Sequence, residues 1–408
     1  MSVNKKSVAI IGSGPAALML AATLNEKLFD ITIYEKNYAP ARKFLVAGDG
    51  GFNLTHSENI EQFITRYTPQ VSLEKSLYSF TNIDLCDWLK QIGIETYTGT
   101  SKRIFPVKGI KPIDVLNAIL NELKNKSIQI KTKYKWKGWN NKNELIIEHN
   151  NQEIFVKPDI VVFALGGASW AKTGSDGSWD KLFSERGVEI IPFQASNCGY
   201  QINWDDKFLK QAEGKSLKNI SITCNGLEKK GEVVITKFGI EGGAIYGLSP
   251  QIREQLNENK KADIFLDLKP SLSADVIKDK LSNKKDKTLT TFLKEDLNLS
   301  PVHVALLKSM VSKEDFIDTK KLTEKIKRLP LQIISVAPID EAISTVGGIS
   351  LNEVDDKFQF KKLPNHYAIG EMLNWDAPTG GYLLQACFSM GAFLAKQLNS
   401  TASQIVII

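Results

Sequence analysis

The chain has little sulfur chemistry to offer. Its four cysteines, Cys86, Cys198, Cys224 and Cys387, are far apart in 408 residues, and no C-x-x-C occurs. That spacing excludes a disulfide framework, a zinc site of closely spaced thiols and the redox-active dithiol of flavin disulfide reductases; buried, inert thiols are expected, and no metal site. No apolar run reaches the roughly eighteen residues of a membrane span, so no membrane partner is expected. The opening Met-Ser-Val-Asn-Lys-Lys runs straight into a strand, which leaves no room for a cleavable signal peptide. A cytoplasmic location is expected. Charge of one sign is also scarce: 52 basic and 46 acidic residues leave +6, too little by itself to argue for a nucleic-acid partner. With 42% hydrophobic and 24% charged residues, the composition is that of a soluble globular chain long enough for two or three domains.

What is present is concentrated first in residues 7–17, Ser-Val-Ala-Ile-Ile-Gly-Ser-Gly-Pro-Ala-Ala. Val8 to Ile11 make a short buried strand, and Gly12, Gly14 and Ala17 fall on the G-x-G-x-x-G/A spacing of a dinucleotide-binding turn. Gly12 permits the tight turn, Gly14 admits a pyrophosphate close to the backbone, and Ala17 lets the next helix pack on the strand. That helix is expected from Ala16 to about Leu28. A second strand, Ile31 to Glu35, ends in an acid about twenty residues past the glycines, placed to accept from an adenosine ribose.

Further on, Gly48, Gly50 and Gly51, bordered by Arg42, Lys43, Asn53 and Thr55, describe a loop whose backbone can lie on a flat ligand. Residues 57–98 read as helices with Ile83, Leu85, Trp88, Leu89 and Ile92 as core. Arg103-Ile-Phe-Pro106 reads as a turn region, and Ile113 to Leu123 as an amphipathic helix. Ile128 to Lys137 alternates apolar and basic residues and reads as one half-buried strand with a solvated lysine face. Glu144–His149 and Gln152–Lys157 complete a meander turning at Asn150-Asn151. The apolar run from Asp159 to Ala168 is a parallel strand buried on both faces. From Pro192 the pattern changes to short strands, then, over 270–330, to lysine-rich helices, with Ser300-Pro301 a helix start and His303 surface or core. Thr345-Val-Gly-Gly348 reads as a glycine turn and Tyr367 to Glu371 as a strand into an acid. A last helix runs to about Leu398, with Thr379 placed to cap it.

These motifs in this order, namely the opening fingerprint, Arg42-Lys43 before a glycine loop ending in Asn53, Arg103-Ile-Phe-Pro106, Ala164-Leu-Gly-Gly167, Thr236 with Gly239-Ile240 and Gly242, Gly347-Gly348, Gly370-Glu371 and Pro378-Thr-Gly-Gly-Tyr382, resemble the HI0933-like flavoproteins over nearly the whole chain. That family includes enzymes described as aminoacetone oxidases and as flavin reductases of bile-acid metabolism, and the chain looks like an uncharacterised branch of it. The resemblance implies an α/β fold: a glutathione-reductase-like FAD-binding Rossmann domain with a β-meander, made from residues 1–192 and 343–408, plus an inserted α+β domain, 193–342. The insert would be a distorted β-barrel over 193–269 and 331–342 with a helical bundle over 270–330. It also implies that Gly12, Ser13, Gly14, Pro15, Ala16, Glu35, Lys36, Arg42, Lys43, Asn53 and Leu54 meet the adenosine, pyrophosphate and flavin edge. Ala164, Gly166 and Gly167 would lie along the middle of the cofactor, and Gly370, Glu371, Thr379, Gly380, Gly381 and Tyr382 by the ribityl chain and flavin pyrimidine. Where many relatives have Gly-Gly-Gly-Arg-Cys-Asn, this chain has Gly48-Asp-Gly-Gly-Phe-Asn53, so their substrates do not transfer.

The expected activity is FAD-dependent oxidoreduction of a small molecule, with hydride transfer at flavin N5 and electrons exchanged with NAD(P)H, docking transiently, or with oxygen. His56 is the candidate for proton transfer, and His366 reads as structural. No stable nucleic-acid partner is expected. Flavin-dependent tRNA modification and a non-catalytic, flavin-containing partner-binding protein stand as alternatives. Substrate and oligomeric state are not legible.

Overall fold

The computed structural model describes residues 5–46, 51–284 and 286–406. These fall into two compact units, residues 1–194 with 344–408, and residues 195–343.

The first unit is built on a parallel sheet. Its chain runs through strand β1 (Lys6–Ile11), helix α1 (Pro15–Thr23), β2 (Phe29–Glu35), helix α2 (Pro112–Asn125) and β3 (Gln129–Thr132). A meander follows, β4 (Lys135–Trp139), β5 (Leu145–His149) and β6 (Gln152–Val156), and then β7 (Ile160–Phe163). After residue 343 the chain returns as β8 (His366–Ala368) and helix α3 (Tyr382–Val406). The main sheet has the order β8-β7-β1-β2-β3, parallel throughout. Val8 to Ile11 and Ile160 to Phe163 are buried without a break, as strands covered on both faces must be. α1 is apolar nearly all round, because it lies between the sheet and α3. Gly391 permits that crossing: a Cβ there would stand 2.4 Å from the Ala16 carbonyl oxygen and 2.8 Å from the Leu20 nitrogen.

Several local expectations are corrected. The alternating stretch 128–137 is two strands rather than one. It breaks at Lys133, whose φ is +62° and whose N–H bonds the Asn37 carbonyl, so β3 joins the main sheet and β4 the meander. α1 stops at Thr23, because the Asn25 carbonyl takes the N–H groups of Leu28 and Phe29 in a turn. Ile83 is 68% exposed and belongs to no core, unlike Leu85 and Leu89 on the buried face of the same helix. Arg103–Pro106 is a strand, paired with Thr55–His56 on one side and Thr96–Thr98 on the other. Thr345 to Gly348 is likewise strand, within Ser344–Ile349, which pairs with Ile190–Ser196. Cys86 and Cys387 are only partly buried, whereas Cys198 and Cys224 are core; none of the four is in a disulfide.

The second unit carries a seven-stranded antiparallel sheet and a separate core that includes Leu217, Ile222, Ile264, Leu306 and Leu331. Its helix Pro301–Met310 starts as expected, but Ser300 makes no capping bond. The Ser300 hydroxyl instead meets His303 Nδ1 at 2.6 Å, while Nε2 reaches the Lys218 carbonyl at 3.1 Å, so His303 is a satisfied core residue. Among the described residues, no helix is long and apolar enough to cross a membrane.

Candidate functional site

The turn from β1 into α1 sets up the site. Gly12 has φ +99°, and a Cβ on it would stand 2.4 Å from the Ala164 carbonyl oxygen, so glycine there lets β1 and β7 run on side by side. Gly14 differs. It is the N-cap of α1 with ordinary φ, and a Cβ there would meet nothing within 4 Å. No side chain caps α1 and no acid lies in its first turn, so the positive end of its dipole faces open space.

That space is a cleft of about 480 Å³ within the first unit. Of the residues expected at a cofactor, Gly12, Ser13, Gly14, Pro15, Ala16, Glu35, Lys36, Arg42, Lys43, Ala164, Gly166, Gly370 and Glu371 line it. Glu35 is buried at the end of β2 and held on both oxygens. Ser13 Oγ donates to Oε2, while the Asn37 N–H and Nδ2 both donate to Oε1 at 2.7 Å. Oε1 thus has both its acceptor sites used, and Oε2 keeps one for a ligand hydroxyl. Lys36 bridges to Asp176 at 2.8 Å; burial would raise that carboxyl, but Lys36 and Ser178 hold it below its ordinary range.

Tyr34, Asn37, Trp136, Ser175, Asp176 and Trp179 also line the cleft and were not singled out. Gly174-Ser-Asp-Gly177, two glycines bracketing two hydrogen-bonding residues, was the available signal for Ser175 and Asp176. Trp136 was hidden in the alternating stretch. Its Nε1–H is buried without a partner, an indole donor in the lining of the cleft.

At the opposite end, Lys43 Nζ lies 2.8 Å from both Ser169 Oγ and Glu371 Oε2, and Glu371 Oε1 accepts from the Thr345 N–H at 3.2 Å. Gly167 sits behind this knot, where a Cβ would come within 2.2 Å of Thr345 Oγ1. The Cys387 thiol beside it is pushed up to about 12, by burial first and then by the Glu371 charge, so it is no nucleophile.

Asn53, Leu54, Gly167, Thr379, Gly380, Gly381 and Tyr382 do not line the cleft. All but Gly167 form a second group, at the start of α3 or beside the Thr55 strand that it touches. Gly381 packs on Thr55, whose backbone carbon would stand 2.5 Å from a Cβ, and Gly380 adjoins the Arg103 guanidinium. α3 begins at Tyr382, with Gln385 N–H bonding the Gly381 carbonyl; Gly381, not Thr379, therefore holds the N-cap position. Gly48 and Gly50 of the glycine loop lie outside the described residues. Phe52 is buried edge-on against Phe44 at 5.1 Å.

His56 stands in this second group, not in the cleft. Its ring stacks on Tyr382 at 5.2 Å, and Nδ1 accepts the Glu58 N–H at 3.2 Å. Burial pushes its pKa down, which keeps the imidazole neutral at pH 7. Next to it, the Tyr382 hydroxyl donates to Glu58 Oε2 at 2.9 Å, and Arg66 grips the same carboxylate with Nε at 3.0 Å and Nη2 at 2.5 Å. Burial opposes ionisation of Glu58, but Arg66 and Tyr382 hold its carboxyl below the usual range, and burial with the Glu58 charge drives the phenol far up.

The family described as HI0933-like protein Rossmann domain matches residues 6–397. The chain is similar to a 3-dehydro-bile acid delta(4,6)-reductase of Clostridium scindens, 23% identical over 94% of this chain and 97% of that one. It is equally similar, at 23% identity over 96% of this chain and 98% of the other, to a ribosomal RNA dihydrouridine synthase of Haemophilus influenzae. Among solved structures, 3-ketosteroid delta1-dehydrogenase from Sterolibacterium denitrificans shares the fold, with a TM-score of 0.50 over 98% of this chain and 100% of that chain at 11% identity.

Proposed function

We propose that this chain, which belongs to the HI0933-like Rossmann family, is an FAD-dependent oxidoreductase that reduces a carbon–carbon double bond conjugated to a carbonyl group. The observation that carries the reaction class is the pair of relatives matched over nearly the whole chain, one named for reducing a 3-dehydro bile acid and the other for making dihydrouridine. In both cases the bond reduced is conjugated to a carbonyl, so hydride addition at one carbon leaves charge that the carbonyl oxygen can hold until a proton arrives. The reaction class is carried over, and the relatives' substrates enter only as the candidate classes of the test below.

The residues of the cleft fit FAD. The uncapped start of α1 would hold the pyrophosphate, with Gly14 leaving room for its close approach, and Glu35 would accept a ribose hydroxyl on Oε2. When bound, FAD supplies a hydride donor and acceptor at N5. The N–H groups at the start of α3 would stabilise negative charge developing near them. His56, with Nδ1 accepting the Glu58 N–H and its ring stacked on Tyr382, holds these two residues in place. Electrons come from NAD(P)H docking transiently.

A small-molecule enone is the first substrate class; uridine in RNA is the second, favoured by the Haemophilus relative. The test is anaerobic: chemically reduced, FAD-loaded protein is mixed with a steroid 4,6-dien-3-one, with a simple cyclic enone and with uridine-rich ribosomal RNA fragments. Return of the oxidised flavin spectrum with any of them supports the reaction class and tells which substrate class holds. No reoxidation by any of the three, with reoxidation by oxygen intact, defeats the reading.

A further inference from the structure

The meander of the first unit ends in an edge strand built to pair. β5 and β6 are joined by a two-residue turn at Asn150 and Asn151, with φ +51° and +61°, a type I′ hairpin. In such a hairpin the flanking residues, here His149 and Gln152, exchange both backbone hydrogen bonds, and alternation gives Ile154 and Val156 to β5 in the same way. The N–H and C=O groups of Glu153, Phe155 and Lys157 therefore point away from the sheet. Among the described residues, no other strand pairs with this edge and no hydrogen bond reaches those groups.

Natural edges are usually blunted, and this one is instead apolar in the middle. Ile154 is 40% and Phe155 56% exposed, between Glu153 and Lys157, which are exposed too. Glu153, Phe155 and Lys157 share one face of the strand, as residues two apart do. Pro158 follows and ends the run of donors.

We propose that β6 docks on β6 of a second copy of this chain, antiparallel, about a two-fold axis at Phe155. In that register Glu153 of each copy lies opposite Lys157 of the other, Ile154 opposite Val156 and Phe155 opposite itself. The residues brought face to face at 153, 155 and 157 are those whose backbone groups are free. The alternatives are poorer: a two-fold at Glu153 or at Lys157 sets like charges face to face, one at Val156 sets Glu153 against Asp159, and one at Ile154 pairs neither charge. Charge complementarity and the phase of the backbone donors thus select one pairing, and one kind of partner, by independent routes. The product is a six-stranded sheet shared by two copies. With five residues per strand it is a weak, concentration-dependent dimer. None of Glu153, Phe155 or Lys157 lines the cleft, so the proposal stands apart from the assignment of FAD chemistry.

The test is sedimentation velocity on the full chain from micromolar to roughly millimolar concentration. Wild type should shift from monomer to dimer, and Glu153→Lys or Lys157→Glu should each raise the dimer dissociation constant by roughly tenfold or more, since each sets like charges opposite one another twice. E153K/K157E restores opposite charges in the same register and should regain wild-type association. Circular dichroism and flavin binding check that each variant is folded. In hydrogen exchange, the segment containing Phe155 should gain protection with concentration in wild type and the double variant only. A wild type that stays monomeric throughout, single variants that associate as wild type does, or a double variant that fails to recover would each overturn the proposal.

Discussion

Gly12 and Gly14 stand two residues apart in one motif and serve different ends, which mutation can separate. Gly12→Ala would drive a methyl group into the Ala164 carbonyl at a φ that side chains avoid, and should cost roughly 2–5 kcal/mol of stability in the protein without cofactor. Gly14→Ala meets nothing in the fold and should cost at most about 1 kcal/mol of that stability, from alanine at an N-cap, while weakening FAD binding through the lost close approach. Thermal melts without flavin and FAD titrations by fluorescence read the two effects apart. If both variants fall equally in stability, the cleft side of Gly14 is not open as described. The Glu58–Arg66 pair gives a pH-dependent counterpart. Arg66→Met leaves a partly buried carboxylate without its cation, and at neutral pH should cost about 1–2 kcal/mol, less than a fully buried pair because Arg66 is one-third exposed. The folded carboxyl of Glu58 lies below its ordinary 4.5, so the stabilisation is present above that value and is lost as the pH falls through the lower, folded one. The gap between wild type and variant in denaturant melts should accordingly close as the pH drops below about 4.5 and stay constant toward neutrality.

At the scale of elements, what could be read beforehand followed from period and punctuation. Continuous apolar runs gave β1 and β7, and the turn chemistry of Asn150-Asn151 gave the β5–β6 hairpin. The misreadings share a cause: local pattern does not say which neighbour a strand will find. Ile128 to Lys137 alternates without a break, yet the chain leaves one sheet for another at Lys133 because Asn37, nearly one hundred residues earlier in sequence, receives its N–H. Thr345 to Gly348 has turn composition and becomes strand because Ile190–Ser196 lies beside it. The cofactor residues near β1 were legible because their spacing is a local matter of turn and helix start; Trp136 and Thr345 were not, because each acquires its place through contacts distant in sequence. Gly391 is such a case on α3, a residue that helix propensity alone disfavours. Gly391→Ala should force α3 off α1, cost about 1–3 kcal/mol, and weaken FAD binding as well, since the Ala16 carbonyl it presses on belongs to the first turn of α1. A variant as stable as wild type, with unchanged FAD affinity, would show that the helices part without consequence.

At the scale of the molecule, the second unit is a single stretch, 195–343, inserted between two parts of the first. Its ends meet: the Ile343 N–H bonds the Asn197 carbonyl at 3.3 Å, and the Ala337 N–H bonds that of Gly199 at 2.9 Å. It also has its own core, with Leu217, Ile222, Ile264 and Leu306 all fully buried. A chain with two such cores is not expected to melt in one step. The cleft draws all its lining from the first unit, so FAD should stabilise that unit alone. At a hundred times its dissociation constant, a ligand adds about 2.7 kcal/mol to the state that binds it, which for a unit of this size moves a melting temperature by roughly 5–10 °C. Scanning calorimetry should therefore resolve two transitions, and raising FAD should carry one of them upward and leave the other in place. A single transition that moves as a whole would mean that the two cores unfold together, and that the insert is held by more than its own packing.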